Sequence, residues 1–265
     1  MAKPYNRPLQ PAADMKSETY TPGHTQNASD FMAKRTFESH GAFFLPYLET
    51  GLSVLDCGCG PGSITMGIAT RTAPGKVVGI DFAQSQIERA KAAATLEGSP
   101  NVTFETGDCY SLSFDSGSFD RVFSHALMEH LADPVRALRE LYRILKPGGV
   151  IGVCSPDWGG FILSPPSPEL SRAVEAYMAL QSKNGGDVGV GRKLGVHLAA
   201  AGFDVTRISA RYECYSSLEF IGEYLASQLE REGDRQSAMV FREWSAQNEG
   251  LFAQAWVSAV GVKLQ

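Results

Sequence analysis

The chain has 265 residues, 43% hydrophobic and 20% charged, enough apolar side chain for one sizeable α/β core with an embellishment. A formal charge of -5 with no run of Lys and Arg argues against a nucleic-acid partner, which would need cations clustered against phosphate; a small molecule is the expected partner. No apolar stretch approaches the ~20 residues that span a bilayer, and the N-terminus lacks the apolar core of a secretory leader. Five scattered cysteines (Cys57, Cys59, Cys109, Cys154, Cys214) suit reduced, mostly buried thiols in a cytoplasmic protein.

Residues 1 to about 18 are rich in proline and polar groups and read as an irregular arm. Over 24–48, Phe31, Met32, Phe37, Phe43, Phe44 and Leu48 recur at near-helical spacing. This predicts one or two amphipathic helices, with the aromatics in the core rather than in a pocket. Strand and helix signals then alternate. Ser53–Asp56 is a short strand running into glycines, Ile64–Thr72 a helix, Lys76–Asp81 a strand, and Ala83–Leu96 a helix with Ser85 as N-cap. Val102–Thr106 and Phe119–Ser124 read as strands. Asp133–Leu145 reads as a helix stopped by Lys146-Pro147-Gly148-Gly149, and Val150–Cys154 as a strand apolar on both faces. Strands alternating with helices imply βαβ units and a parallel sheet. After the loop Pro165–Pro168 come helices Pro168–Ser182 and Gly191–Ala201, a long strand Phe203–Tyr215, helices Leu218–Glu232 and Arg235–Asn248, and a closing strand Phe252–Val262. Two helices between the last two strands predict a small cap set into a terminal hairpin.

The densest signal is Val54-Leu55-Asp56-Cys57-Gly58-Cys59-Gly60-Pro61-Gly62-Ser63. A buried strand delivers the chain to a loop whose glycines allow a tight turn and a close ligand, and a helix then offers free N–H groups. A nicotinamide fingerprint would need glycines at 58, 60 and 63, yet position 63 is serine, and Asp56 is unlike the apolar approach of such strands. A second strand ends in Asp81, whose carboxylate can accept two hydrogen bonds from a ribose diol; a solvated strand end is the bland alternative. The close pair Cys57 and Cys59 has no partnering Cys or His at zinc spacing, so no metal is expected.

The loop resembles motif I of class I S-adenosylmethionine-dependent methyltransferases, where it holds the methionine end of the cofactor. Val77-Val78-Gly79-Ile80-Asp81, Gly107-Asp108-Cys109, Phe114–Val122, Ser124–Pro134 and Leu145-Lys146-Pro147-Gly148-Gly149-Val150 continue the likeness. It is strong over about 50–155 and is similar to the ubiquinone/menaquinone-biosynthesis (UbiE-like) small-molecule branch. Outside that stretch it thins to Gly191-Arg192-Lys193-Leu194 and Ala201-Gly202-Phe203, and the cap matches nothing in the branch.

The resemblance implies a Rossmann-like three-layer α/β sandwich, with a seven-stranded, mostly parallel sheet, an antiparallel last strand and a helical cap. Residues 1–48 become an arm with lid helices, 49–215 with 251–265 the cofactor-binding domain, and 216–250 the cap insertion. Expected cofactor contacts are Asp56, Gly58, Cys59, Gly60 and Gly62 in the loop, Asp81 on the ribose, Phe82 against adenine, and Asp108 with the backbone N–H of Cys109 on the adenine edge. His125 would touch the cofactor through its backbone, its imidazole serving as a base or only lining the pocket. Asp157 and Trp158 would orient the acceptor, Trp158 being equally a core anchor, and His130 would make a structural hydrogen bond. Tyr20, His24 and Thr25 lie in an arm that in relatives often closes over the cofactor; an ordinary surface loop is the alternative. In-line methyl transfer to a small molecule is the implied reaction, through O, N or C, with no nucleic-acid partner, no membrane span and a homodimer left open. The alternatives are an idle cofactor-binding scaffold and a nicotinamide-dependent oxidoreductase.

Overall fold

A computed structural model describes residues 18–23, 25–215, 217–247 and 249–265; most of the predicted arm and His24 lie outside them. Alternate residues of the central strands face opposite layers. On β1 (Val54–Cys57), Val54 packs with Phe44, Val77, Phe104 and Phe123, whereas Leu55 packs with Val122, Leu141 and Ile151. Both sets are buried, so β1 is covered on both faces, as a parallel strand requires. Helices α2 (Ser63–Thr72) and α3 (Gln84–Glu97) cover the Phe104 face, and α4 (Pro134–Ile144) and α6 (Leu194–Ala201) the Leu141 face.

The sheet comprises β1, β2 (Val77–Asp81), β3 (Val102–Thr106), β4 (Phe119–His125), β5 (Leu145–Ser164), β6 (Asp204–Cys214) and β7 (Leu251–Val262), in the order β3-β2-β1-β4-β5-β7-β6. Neighbours pair in parallel from β3 through β5, and β7 lies antiparallel to both β5 and β6. The expected seven-stranded, mostly parallel arrangement with an antiparallel last strand is therefore present. Strand order reverses between β1 and β4, and open α/β sheets bind ligands outside the carboxyl ends at such a point.

Several boundaries differ from expectation. Strand β5 does not stop at Cys154 but runs to Ser164, because β7 follows it from Val150↔Val262 to Ser164↔Leu251, with a shift between Asp157 and Ile162. Ser85 is not the N-cap of α3. That helix begins at Gln84 after Ala83 with no side-chain cap, and Asp81 Oδ1 instead accepts from the Ala83 N–H at 2.9 Å. Among the described residues of 24–48 only α1 (Gln26–Ala33) is α-helical; a π-helical turn over Phe37–Gly41 and a 3-10 helix over Ala42–Tyr47 follow, and Pro46 has no N–H to continue a regular helix. Phe37 and Phe44 are buried in the core as predicted from their spacing.

Helices α5 (Pro168–Lys183), α7 (Leu218–Arg231) and α8 (Arg235–Ser245) build a separate apolar cluster above the carboxyl ends of the strands. Leu218, Ile221, Leu225 and Leu229 form the buried stripe of α7, against Phe241 and Trp244 of α8 and Leu170, Val174 and Tyr177 of α5. Gly222 permits the close approach of α7 and α8, since a Cβ there would lie 2.4 Å from the Ser245 Cβ. Among the described residues no helix is long and apolar enough to cross a membrane, and no cluster of His, Cys, Asp or Glu could hold a metal ion. All five cysteines are free thiols.

Candidate active site

At the end of β1 the chain turns through Gly58, Gly60 and Gly62 with φ of 77°, 53° and 83°, a region that side chains with a Cβ rarely adopt. The loop lies across β2: the N–H groups of Gly58 and Cys59 both donate to the Ile80 carbonyl at 2.9 Å. The Gly60 N–H donates to Asp81 Oδ2 at 3.0 Å, and the Ala83 N–H to Oδ1 at 2.9 Å. Asp81 thus fixes the glycine turn to the following helix while its carboxylate still lines the cavity in front of it. A Cβ built on Gly60 would meet only Met32 Sδ, at 3.6 Å, so the loop leaves a shallow cradle there.

Asp56 is buried, and its Oδ2 accepts from Thr65 Oγ1 at 2.6 Å. Burial raises its pKa to about 7 against the lowering effect of Thr65, so this acid secures the first turn of α2. Beyond β3, Asp108 Oδ1 accepts from the Tyr110 N–H at 2.9 Å, closing a turn that carries Cys109 to the cavity wall. Burial pushes the Cys109 thiol up to about 12. Phe82 is 84% exposed at the same wall, an aromatic face with no protein covering it. The loop, Asp81, Phe82, Asp108 and Cys109 all border one cavity of about 1170 Å³.

The second half of that cavity is aromatic. Trp158, Tyr177, Tyr224, Phe252 and Trp256 line it together with Phe31, which stacks on Tyr224 at 3.9 Å between ring centres. Trp158 is both anchor and wall: it is buried against Tyr177 and Phe252 and also faces the cavity. The arm closes one side. Tyr20 meets the His130 ring edge-on at 4.6 Å, Arg231 of α7 donates to the carbonyls of Thr21 and Pro22, and Asn184 Nδ2 donates to Thr21 Oγ1 at 3.1 Å. Thr25 caps α1, accepting the Ala28 N–H at 3.3 Å, and does not line the cavity.

Three expected roles change. His125 lines the cavity but stacks on Trp256 at 4.7 Å, with no hydrogen-bond partner on Nε2 among the described residues. Burial, then the charge of Arg35, drives its pKa well below the ordinary histidine value. It is a neutral wall group that holds a proton poorly, the wrong direction for a general base. Asp157 does not reach the cavity. Its carboxylate takes Arg192 Nε at 2.7 Å and Nη2 at 2.6 Å and also accepts the Gly159 and Arg192 N–H groups, both at 2.9 Å. The His130 ring makes no hydrogen bond among the described residues, Nδ1 being unpartnered and Nε2 lying 3.7 Å from Glu129 Oε1; its backbone N–H donates to the Leu127 carbonyl at 3.0 Å.

Sequence reasoning missed Glu129, Arg35 and the Phe252, Gln254, Trp256 row. Glu129 is buried at the cavity wall, bonded by Ser155 Oγ at 2.9 Å, and burial raises its pKa to about 7. A legible signal existed for the row: Phe252, Gln254 and Trp256 share one face of a strand, and a glutamine inside an apolar alternation marks a polar wall. Ala126, just after β4, takes φ 56°, a strain that sequence does not reveal and that tends to collect at binding sites.

A methyltransferase domain model matches residues 48–200. An uncharacterized methyltransferase of Schizosaccharomyces pombe is 36% identical over 138 residues, 50% of this chain and 50% of that protein. The demethylmenaquinone methyltransferase of Lactococcus lactis is 41% identical over 106 residues, 40% of this chain and 42% of that protein. The chain spans about half the length of the curated relatives it matches. A phosphoethanolamine N-methyltransferase of Haemonchus contortus, solved with S-adenosyl-L-methionine, superposes with a TM-score of 0.60 at 20% identity, covering 89% of this chain and 56% of that one. At that identity it speaks for the fold alone.

Proposed function

The chain belongs to the methyltransferase domain family, and from that premise we propose that it transfers a methyl group from S-adenosylmethionine to a small organic acceptor with a largely apolar body. The observation that carries this is one cavity with two unlike halves: a glycine cradle flanked by the carboxylates of Asp81 and Asp108, opening into a chamber of aromatic rings. Its volume, about 1170 Å³, exceeds what a single drug-sized ligand needs, about 300–1,000 Å³. That volume leaves room for an acceptor beside the cofactor. Family membership sets aside the nicotinamide alternative.

The donor set suits this cofactor. Asp81 would accept from the ribose hydroxyls, Asp108 and the Cys109 N–H would meet the adenine edge, Phe82 would cover its face, and the Gly58–Gly62 turn would hold the amino-acid end. The cofactor brings an already electrophilic methyl carbon, so the protein contributes alignment and dryness more than bond-making. Tyr20, Trp158, Tyr177 and Tyr224 would exclude water and fix the acceptor plane. Where the acceptor carries a proton, Glu129 is better placed to take it than His125 or Asp157. It is a buried carboxyl at the cavity wall poised at about 7.

The test is a coupled assay for S-adenosylhomocysteine with a panel of apolar phenols, quinols, amines and acids, alongside calorimetric titration of the cofactor. Micromolar cofactor binding and turnover of at least one panel member are expected. Cofactor binding with no turnover would favour the idle scaffold, and failure to bind S-adenosylmethionine at all would end the methyltransferase reading.

A further inference from the structure

The cavity wall carries a guanidinium that no carboxylate of the described residues binds. Arg35 follows α1, four positions after Phe31, and lines the cavity. Its guanidinium carbon lies 5.1 Å from the Phe31 ring centre and 5.0 Å from that of Trp256. Among the described residues its side chain makes no hydrogen bond or ion pair. Two carboxylates feel its charge without bonding it: Glu213, whose Oε1 lies 3.1 Å from His40 Nε2 and whose Oε2 has no hydrogen-bond partner among the described residues, and Glu129, which accepts from Ser155 Oγ at 2.9 Å.

Arginine stays protonated in proteins. Burial disfavours the cation, and Tyr215, Tyr224, Glu213 and Tyr20 favour it on balance; its fork of N–H donors still finds its geometric complement in a planar anion. The field of Arg35 is felt through the whole wall, since after burial it is the main influence lowering the basicity of His125 and His130. The residue also stands where the two halves of the cavity meet. Ser63 Oγ donates to the Arg35 carbonyl at 2.6 Å, tying its backbone to the first residue of α2 beside the glycine turn, while its guanidinium reaches β7 in the aromatic half.

We infer that Arg35 is a carboxylate receptor, holding the acid group of a bound ligand in a forked pair of hydrogen bonds while Phe31 and Trp256 flank the guanidinium. The identity of the ligands rests on the methyltransferase reading. The carboxylate comes either from the amino-acid end of the cofactor or from an acidic acceptor, and both present the same planar anion.

Calorimetric titration of the full chain distinguishes these sources, with Arg35→Gln and Arg35→Lys as variants. One arm compares S-adenosylhomocysteine with 5′-methylthioadenosine, which lacks the amino-acid end. The other compares 2-naphthoate with 2-naphthamide on protein loaded with S-adenosylhomocysteine. Arg35→Gln is expected to weaken one of the two acids by tenfold or more while its neutral counterpart changes less than twofold, with Arg35→Lys intermediate. A loss confined to S-adenosylhomocysteine assigns the cofactor, and one confined to naphthoate the acceptor. Should Arg35→Gln fail to fold, the lysine variant, which keeps the charge and loses the fork, is expected to show the same loss in smaller measure. No dependence on Arg35 in either arm overturns the inference, whereas failure of the unaltered protein to bind S-adenosylhomocysteine overturns the methyltransferase reading instead.

Discussion

Replacing Asp81 by asparagine probes the hinge of the glycine turn proposed to hold the cofactor. Its carboxylate accepts the Gly60 N–H at 3.0 Å on one oxygen and the Ala83 N–H at 2.9 Å on the other, so it positions the turn as well as facing the cavity. An amide has one acceptor oxygen. Whichever N–H that oxygen meets, the NH2 group faces the other donor, and the negative charge available to a ribose diol is lost. Hydrogen bonds to a charged group contribute about 1.5–3 kcal/mol, so cofactor affinity should fall roughly 10- to 150-fold. Isothermal titration with S-adenosylhomocysteine measures this, with melting of the ligand-free variant as the folding control. A variant that folds normally and binds within twofold of the parent would refute the assignment of Asp81 to the cofactor and the coupling of that site to the glycine turn.

Phe82 is 84% exposed and supports no core, so Phe82→Ala should leave the melting temperature unchanged. It should weaken S-adenosylhomocysteine about three- to tenfold, the range of an aromatic stack worth about 0.5–1.5 kcal/mol; unaltered affinity in the same titration would take Phe82 out of the adenine site. Glu129 concerns pH. Burial raises its pKa from 4.5 to about 7, so its protonated form favours the fold; that contribution is complete below about pH 4.5 and is lost as pH climbs through about 7. Glu129→Gln, which can still accept from Ser155 Oγ, should therefore melt several degrees above the parent at pH 8, a gain of up to about 3 kcal/mol. The gain should vanish near pH 4.5. Scanning calorimetry that finds the variant no more stable at pH 8 would contradict a strained, buried carboxylate.

The half of the cavity built on the glycine turn was readable because its chemistry is local. A turn through Gly58, Gly60 and Gly62 needs positive φ at successive positions, and that demand leaves glycine in the chain itself. Asp81 was recognisable because it ends a strand after an apolar run, and Asp108 through the family resemblance of Gly107-Asp108-Cys109. The aromatic half was less legible. Arg35, Glu129, Tyr224 and Trp256 come from separate parts of the chain with no shared spacing, and only the packing of α1 and α7 against the sheet that contains β7 brings them to one wall.

His125 and Asp157 show the same division. Their place at the carboxyl edge of β4 and β5 follows from strand order, which alternating apolar segments already imply. What each side chain does there depends on through-space neighbours: Trp256 stacks on the imidazole, the charge of Arg35 suppresses its basicity, and Arg192 turns the Asp157 carboxylate away from the cavity. The order of apolar and glycine positions along the chain determined a parallel sheet with a glycine turn at its switch point, because those preferences act within a few residues. Which acids are raised toward neutrality, and which cation lacks an ion pair among the described residues, was decided only in the folded molecule, since desolvation and Coulomb interaction depend on distances that separate elements acquire by packing.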